Sequence, residues 1–239
     1  MKDILKKKVF AILPARLNSK RIPKKNIKNF VNGPMISIPI KVAKDSQIFD
    51  EIFVSTDSEE IAKISREAGA SVPFLRSQEI SDDFTPVGKV ISDFTRWLIS
   101  NNYKPDIICI IYPCSPFISV KRLKEGFEKL KISNAKCLFT CIEYAHPIQR
   151  AFKKTSNGRV QMNDPANFLT RSQDLETMYH DAGQFYFMNA DFALADEIIF
   201  CEDSIPLILS REEVIDIDTM EDWKIATIQY AILNKEKLK

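Results

Sequence analysis

The residues best suited to chemistry fall in two places, far apart in the chain. The first is the segment Leu13–Asn26, LPARLNSKRIPKKN. Arg16, Lys20 and Lys25 supply positive charge there, while Asn18, Ser19 and backbone N–H groups supply neutral donors, a mixture that fits a polyphosphate. The second is Asp216-Ile217-Asp218. On an extended segment alternate side chains share a face, so both carboxylates would point the same way. Two carboxylates with room left for water and phosphate oxygens suit octahedral Mg²⁺, which takes few protein ligands. An isolated Asp-x-Asp also occurs in helix-capping turns, and the pattern alone leaves both readings open.

These groups need a frame. Short apolar runs alternate with amphipathic stretches, the pattern of a mostly parallel sheet flanked by helices, an α/β fold. Val9–Leu13, Ile52–Ser55, Ile107–Tyr112 and Lys136–Cys141 read as buried strands, and Val72–Leu75 as a strand-like run closed by Arg76. Ser58–Gly69 reads as a helix with Glu59 and Glu60 in its first turn and Gly69 as its stop. Thr85–Asn101 carries Val87, Val90, Ile91, Phe94 and Leu98 at helical spacing. Ser119–Lys131 is a third helix with Ser119 as its cap, and a last helix begins near Thr219, which has capping-box spacing to Asp222. Regularity fails across residues 144–183 and returns at Gln184–Met188, so the intervening stretch reads as an inserted arm. Composition alone leaves it as either a subunit interface or a surface excursion.

In an open α/β sheet ligands bind beyond the carboxyl ends of the strands, and the basic segment directly follows the first strand. That makes it the expected seat of a nucleotide. Neither a G-x-G-x-x-G fingerprint nor a G-K-[ST] loop is present, which weighs against dehydrogenases and P-loop ATPases.

Composition sets outer bounds. At 239 residues the chain suits one domain with a modest insertion, and 45% hydrophobic with 28% charged residues is ordinary for a soluble protein. A net charge of +2 argues against bulk binding of nucleic acid. Residues 4–43 nevertheless hold no acid, while Lys6, Lys7, Lys8, Arg16, Lys20, Arg21, Lys24, Lys25, Lys28 and Lys41 all fall there, so an anionic partner is expected. Cys109, Cys114, Cys137, Cys141 and Cys201 form no C-x-x-C pair and read as reduced thiols of a cytoplasmic protein without zinc. The charged start Met1–Lys8 and the short apolar run Val9–Leu13 fit neither a signal peptide nor a membrane span.

The basic segment resembles the first motif of the CMP-sialic acid synthetase (acylneuraminate cytidylyltransferase) family, P-A-R-x-x-S-K-x-[IL]-x-x-K-N. Its form SKRIPKKN, with Arg21 where sialic acid enzymes usually carry Gly, resembles the pseudaminic acid branch. The likeness continues in family order through Val54–Ala62, Val72–Arg76, Tyr112–Phe117, Tyr179–Tyr186 and Ile215–Thr219. It implies a three-layer, Rossmann-like nucleotide-diphospho-sugar transferase fold, spanning residues 1–239 as one domain, with a dimerisation arm at about 144–183. It also implies transfer of CMP from CTP to a nine-carbon 2-keto sugar acid, with pseudaminic acid ahead of sialic or legionaminic acid, in a homodimer. A catalytically inactive nucleotide-binding protein is the alternative of another class.

By the same resemblance Pro14, Ala15, Arg16, Asn18, Ser19 and Lys25 hold CTP, and Arg76 contacts its cytosine rather than forming a surface ion pair. Asp216 and Asp218 become the ligands of Mg²⁺, with Mn²⁺ as a substitute, and join Arg16 and Lys25 as the catalytic set. Tyr112, Ser115, Arg171, His180, Asp181, Gln184 and Tyr186 line the sugar site. The sequence departs from its relatives at Tyr112 and Cys114, where Gln and Thr are usual, and Cys114 reads as packing rather than nucleophile. Asp57 reads as the cap of the helix that follows it. His180 reads as a polar contact and His146 as structural.

Overall fold

The computed structural model describes residues 7–195 and 199–236, so Lys6 and the rest of the charged start lie outside the described residues. In chain order the elements are β1 (Val9–Ala15), β2 (Asn29–Phe30), β3 (Gly33–Pro34), α1 (Ser37–Ser46), β4 (Glu51–Thr56), α2 (Glu59–Ala68), α3 (Val87–Ser100), β5 (Ile107–Ile111), α4 (Val120–Ile132), β6 (Cys137–Glu143), β7 (Phe152–Lys154), β8 (Val160–Met162), β9 (Tyr179–Asn189), α5 (Ala190–Ala193), β10 (Ser204–Ile208) and α6 (Met220–Glu236).

β1 and β5 are unbroken apolar runs, and such runs belong in a sheet covered on both faces. They form the centre of a six-stranded sheet ordered β10-β6-β9-β5-β1-β4. Every pairing in it is parallel except those of β9, which runs antiparallel to both β5 and β6. Side chains alternate across the pleat. Ala11, Leu13, Cys109 and Ile111 face one way with Ile40, Ile61, Leu123 and Leu130 of α1, α2 and α4. Phe10, Ile12, Ile108 and Ile110 face the other, against Ile91, Phe94 and Leu98 of α3. The result is the expected three-layer α/β architecture.

A smaller apolar cluster sits beyond the strand ends. Trp223 and Ala226 of α6 pack with Ile22, Phe30, Met35 and Ile217, so the last helix bears on the basic loop and on the Asp216–Asp218 segment together. The Trp223 ring meets Phe30 edge-on at 5.4 Å.

Three of the helix ends are as read: Ser119 accepts from Arg122 N, Gly69 ends α2 at φ +101, and Thr219 with Asp222 forms a reciprocal cap. Four expectations need correction. Asp57 is not the cap of α2, because Ser58 takes that role; its Oδ1 instead accepts from Leu17 N at 3.1 Å, tying the basic loop to the end of β4. Val72–Leu75 is not a strand: only isolated bridges form there, from Leu75 to Thr56 and from the preceding Ser71 to Phe53. β9 starts at Tyr179, so His180 and Asp181 lie within the sheet rather than before it. Asp216–Asp218 is irregular chain outside any strand, with Ile217 buried between the two acids.

Candidate functional site

The loops after β1, β4 and β5 gather at one edge of the sheet, where strand order reverses around β1. Two cavities open there. The first, of about 520 Å³, is lined by Pro14, Arg16, Ser19, Lys20, Arg21, Lys25 and Arg76, with Asp82, Asp83 and Asp218 across from them. The second, of about 620 Å³, is lined by Tyr112, Cys114, Ser115, His180, Asp181, Gln184, Arg211 and Asp216. Lys25 and Asn26 line both and form the wall between them.

The loop that carries the cations is held from below. Asn26 is buried, and its Nδ2 donates to Arg16 O at 3.0 Å. Lys24 sits in the left-handed region at φ +53, where Ile27 N and Lys28 N both donate to its carbonyl. That conformation is uncommon for a side-chain-bearing residue, and the turn turns Lys25 inward. Lys25 Nζ donates to Ile217 O at 2.7 Å and lies 3.7 Å from Asp218.

Every cation of the first cavity has a carboxylate or dipole against it. Arg16 and Lys20 meet Asp83 at 2.6 and 2.5 Å, and Arg16 also donates to Asp82 O at 2.9 Å. Those pairings hold the Asp83 carboxyl below its usual range. Arg21 meets Asp218 at 2.7 Å.

Arg76 is 7% exposed and makes no ion pair among the described residues. It donates to Ser81 Oγ at 3.0 Å and to Ser55 O at 3.3 Å. Burial lowers its pKa, the Asp57 charge opposes that shift, and the Arg16 charge adds to it. The surface ion pair weighed for this residue is therefore excluded.

The two aspartates straddle the wall, Asp218 on the first cavity and Asp216 on the second. Burial and the neighbouring Asp218 charge raise the Asp216 pKa, against the pull of Lys25. Among the described residues no group of three or more His, Cys, Asp or Glu is placed to hold a metal together.

In the second cavity Ser115 Oγ donates to Tyr112 O at 2.8 Å, Gln184 Nε2 donates to Glu213 O, and the Tyr186 phenol donates to Asp181 Oδ2. The Cys114 thiol is pushed up to about 11, chiefly by burial and further by Asp216 and Asp218, which fits packing and not nucleophilic attack. His180 Nδ1 contacts Asp181 O at 2.9 Å, and its ring lies 4.7 Å from Tyr144.

Four of the residues anticipated from sequence stand apart. Ala15 in β1 and Tyr186 in β9 are buried, Asn18 is exposed, and none of the three lines a cavity. Arg171 is exposed on the arm, paired with Asp174 at 3.1 Å, and also lines neither.

Other groups escaped the sequence reading. Arg122 of α4 grips Glu213 through both carboxylate oxygens, at 2.8 and 2.7 Å, while Ser210 N and Oγ donate to the same carboxylate. This clamp anchors the segment that leads into Asp216 and Asp218. The 91-residue separation of its partners left no local pattern to find it by.

A family model described as Cytidylyltransferase matches residues 10–239. A protein of Campylobacter jejuni named pseudaminic acid cytidylyltransferase is 40% identical over 225 residues, 94% of this chain and 97% of that protein. A Legionella pneumophila protein named CMP-N,N'-diacetyllegionaminic acid synthase is 30% identical over 97% of this chain and 99% of its own. Among solved structures, CMP:2-keto-3-deoxy-manno-octonic acid synthetase complexed with CTP superposes with a TM-score of 0.68 at 14% identity, covering 96% of this chain and 99% of that one. At that identity the likeness is one of fold.

Proposed function

The chain belongs to the cytidylyltransferase family, and from that premise we propose that it transfers CMP from CTP to the anomeric hydroxyl of pseudaminic acid, releasing pyrophosphate. The observation that carries the reading is the pair of cavities with Lys25 and Asn26 as their common wall. One is rich in cations and suits a triphosphate; the other sets Tyr112, Ser115, Gln184 and Asp181 beside Lys25 and Arg211, polar groups for hydroxyls and cations for a carboxylate, and suits a sugar acid.

In this reading Arg16, Ser19, Lys20 and Lys25 hold the triphosphate of CTP, with Pro14 and Arg76 toward its cytosine. Tyr112, Ser115, His180, Asp181 and Gln184 surround the sugar. The anomeric oxygen bonds to the α-phosphorus as its proton is lost, and the bond from that phosphorus to the bridging oxygen breaks. Negative charge then grows on the leaving pyrophosphate, where Arg16 and Lys25 are fixed to oppose it without reorganisation. Holding two anions in line across one wall removes encounter entropy, worth up to roughly 7–11 kcal/mol in ideal cases.

Asp216 and Asp218 fit Mg²⁺, or Mn²⁺ in its place, as a two-carboxylate donor set that leaves the other positions to water and phosphate. When bound, the ion polarises the phosphoryl oxygens. Arg21 and Lys25 now sit against Asp218, and both would turn to phosphate oxygens if that carboxylate held the ion.

The exposed apolar groups of the arm, Phe152, Val160, Phe168 and Leu169, support a homodimer in which they are covered. No helix among the described residues is long and apolar enough to cross a membrane, and the five free cysteines support a cytoplasmic setting.

The test is incubation with CTP, Mg²⁺ and, separately, pseudaminic, legionaminic and N-acetylneuraminic acids. Pyrophosphate is expected fastest with pseudaminic acid. None with that acid sinks the assignment, and CTP binding without turnover of any acid identifies an inactive nucleotide binder.

A further inference from the structure

The second cavity has an inner end and a rim, and strand register separates them. β5 ends at Ile111, which pairs with Phe185 of β9. The Thr140 hydroxyl of β6 accepts from Phe185 N and donates to Phe185 O, so these three residues share one level of the sheet. β6 and β9 then continue past β5 as a two-stranded ribbon, paired as far as Glu143 with Tyr179. Tyr144 N extends the ribbon by donating to Met178 O. Tyr144 therefore stands four residues above the end of β5, about 13 Å at the rise of a strand.

Two cations line this cavity, one at each end. Lys25 is at the inner end: its Nζ donates to Ile217 O, and its charge acts on the Cys114 thiol just beyond β5. Arg211 is at the rim, where its Nη2 donates to Tyr144 O at 3.3 Å.

The backbone under Arg211 is fixed. Arg211 opens the single 3₁₀ turn Arg211–Glu213, which a capping box joins to Ser210. Arg122 grips the Glu213 carboxylate, and Gln184 Nε2 donates to Glu213 O. A guanidinium has five N–H donors and no acceptor. The bond to Tyr144 O is long against the usual ~2.7–3.2 Å, and Arg211 makes no ion pair among the described residues. Donors remain for a ligand.

The chemistry of the acid decides which of its groups arrives there. In a 2-keto sugar acid the carboxylate sits on the carbon that carries the attacking hydroxyl, so it stays at the inner end with Lys25. The rim receives the far side of the molecule, where acylamino groups present carbonyl oxygens.

We propose that Arg211 is a specificity-determining contact that donates to an acylamino carbonyl at the end of the sugar acid remote from the reacting carbon. The inference rests on the second cavity taking the sugar acid with its anomeric carbon toward Lys25. A charged donor holds such a carbonyl more strongly than a neutral one. An acid with hydrogen at that position leaves the guanidinium to water.

The test uses whichever acid of the substrate panel the wild type turns over, with two kinds of analogue. In one, each acylamino group is replaced in turn by hydrogen; in the other, the carboxylate becomes a carboxamide. With the wild type, one acylamino replacement lowers kcat/KM for the sugar about 10- to 100-fold, the scale of a hydrogen bond to a charged group. Arg211→Gln lowers kcat/KM for the parent acid by a similar factor, and in that variant the same replacement costs under about threefold more. Arg211→Lys, which keeps a charged donor, retains part of the discrimination. Carboxamide affinity, read as Ki against the parent acid, falls in Arg211→Gln by the same factor as the parent's. The KM for CTP and Tm hold in both variants. A carboxamide that Arg211→Gln spares makes Arg211 the partner of the carboxylate and overturns the proposal. So does a loss shared equally by every acylamino analogue, or a lowered Tm with a raised KM for CTP, the marks of a merely structural link to Tyr144. Turnover of none of the acids removes the function and this inference with it, whereas turnover with additive losses overturns the inference alone.

Discussion

Asp83 occupies the ground a triphosphate would claim, since its carboxylate is bound by both Arg16 and Lys20. A negatively charged ligand must displace it. Asp83→Asn should therefore lower the KM for CTP about two- to fivefold, the modest scale of exposed ion pairs. A raised KM would instead mean that Asp83 shapes the cavity. Glu213 has the opposite value, as an anchor. Hydrogen bonds from Arg122 hold its carboxyl at about 2 in the folded protein, against 4.5 for the free group. A depressed carboxyl stabilises the fold above the unfolded pKa and loses that contribution as pH falls through the folded one. The window runs from about 4.5 down to about 2. Urea midpoints followed through that window should fall less steeply for Glu213→Gln than for the wild type, and parallel slopes would refute the anchor. The basic residues were legible because charge, spacing and position after a strand all agreed. Asp57 was misread because a capping rule is local, and the neighbouring Ser58 satisfied it. The true partner of Asp57, Leu17 N, is 40 residues away.

Helix and strand signals were read best where apolar periodicity was strong, as in β1, β5, α2 and α3. They failed where another constraint ruled. α1 carries Pro39 and follows a loop, so it lacks the usual start signals. β10 contains Pro206, which a strand tolerates at a sheet edge, and β10 is an edge strand. The antiparallel course of β9 follows from the arm: a chain that leaves after β6 and returns from the same end must run back the other way. α4 approaches that strand closely. A Cβ on Gly126 would lie 3.0 Å from the Phe185 ring and 3.2 Å from Leu138. Gly126→Val should overpack this contact at a cost of about 1–3 kcal/mol, lowering Tm by roughly 2–4 °C for each of them. An unchanged Tm would show that α4 can lift off the sheet freely.

At the scale of the whole molecule, the arm carries apolar side chains that its own core does not cover, with Phe168 67% and Leu169 89% exposed. Light scattering on Phe168→Asp/Leu169→Asp should show a monomer where the parent shows a dimer. A parent that is itself monomeric ends the dimer reading. Arg171 lies on that arm outside both cavities, so its role could not be read from one chain's sequence or from one chain's fold. The shared wall of Lys25 and Asn26 has a further consequence, for inhibition. In the proposed reading each substrate fills one chamber, and a single molecule that links a cytidine group to a sugar-acid mimic would fill both. Its second half would bind at the effective concentration set by the link and not at its concentration in solution. Affinity for such a bridging compound would then approach the product of two weak affinities, and either half alone would be a poor guide to it.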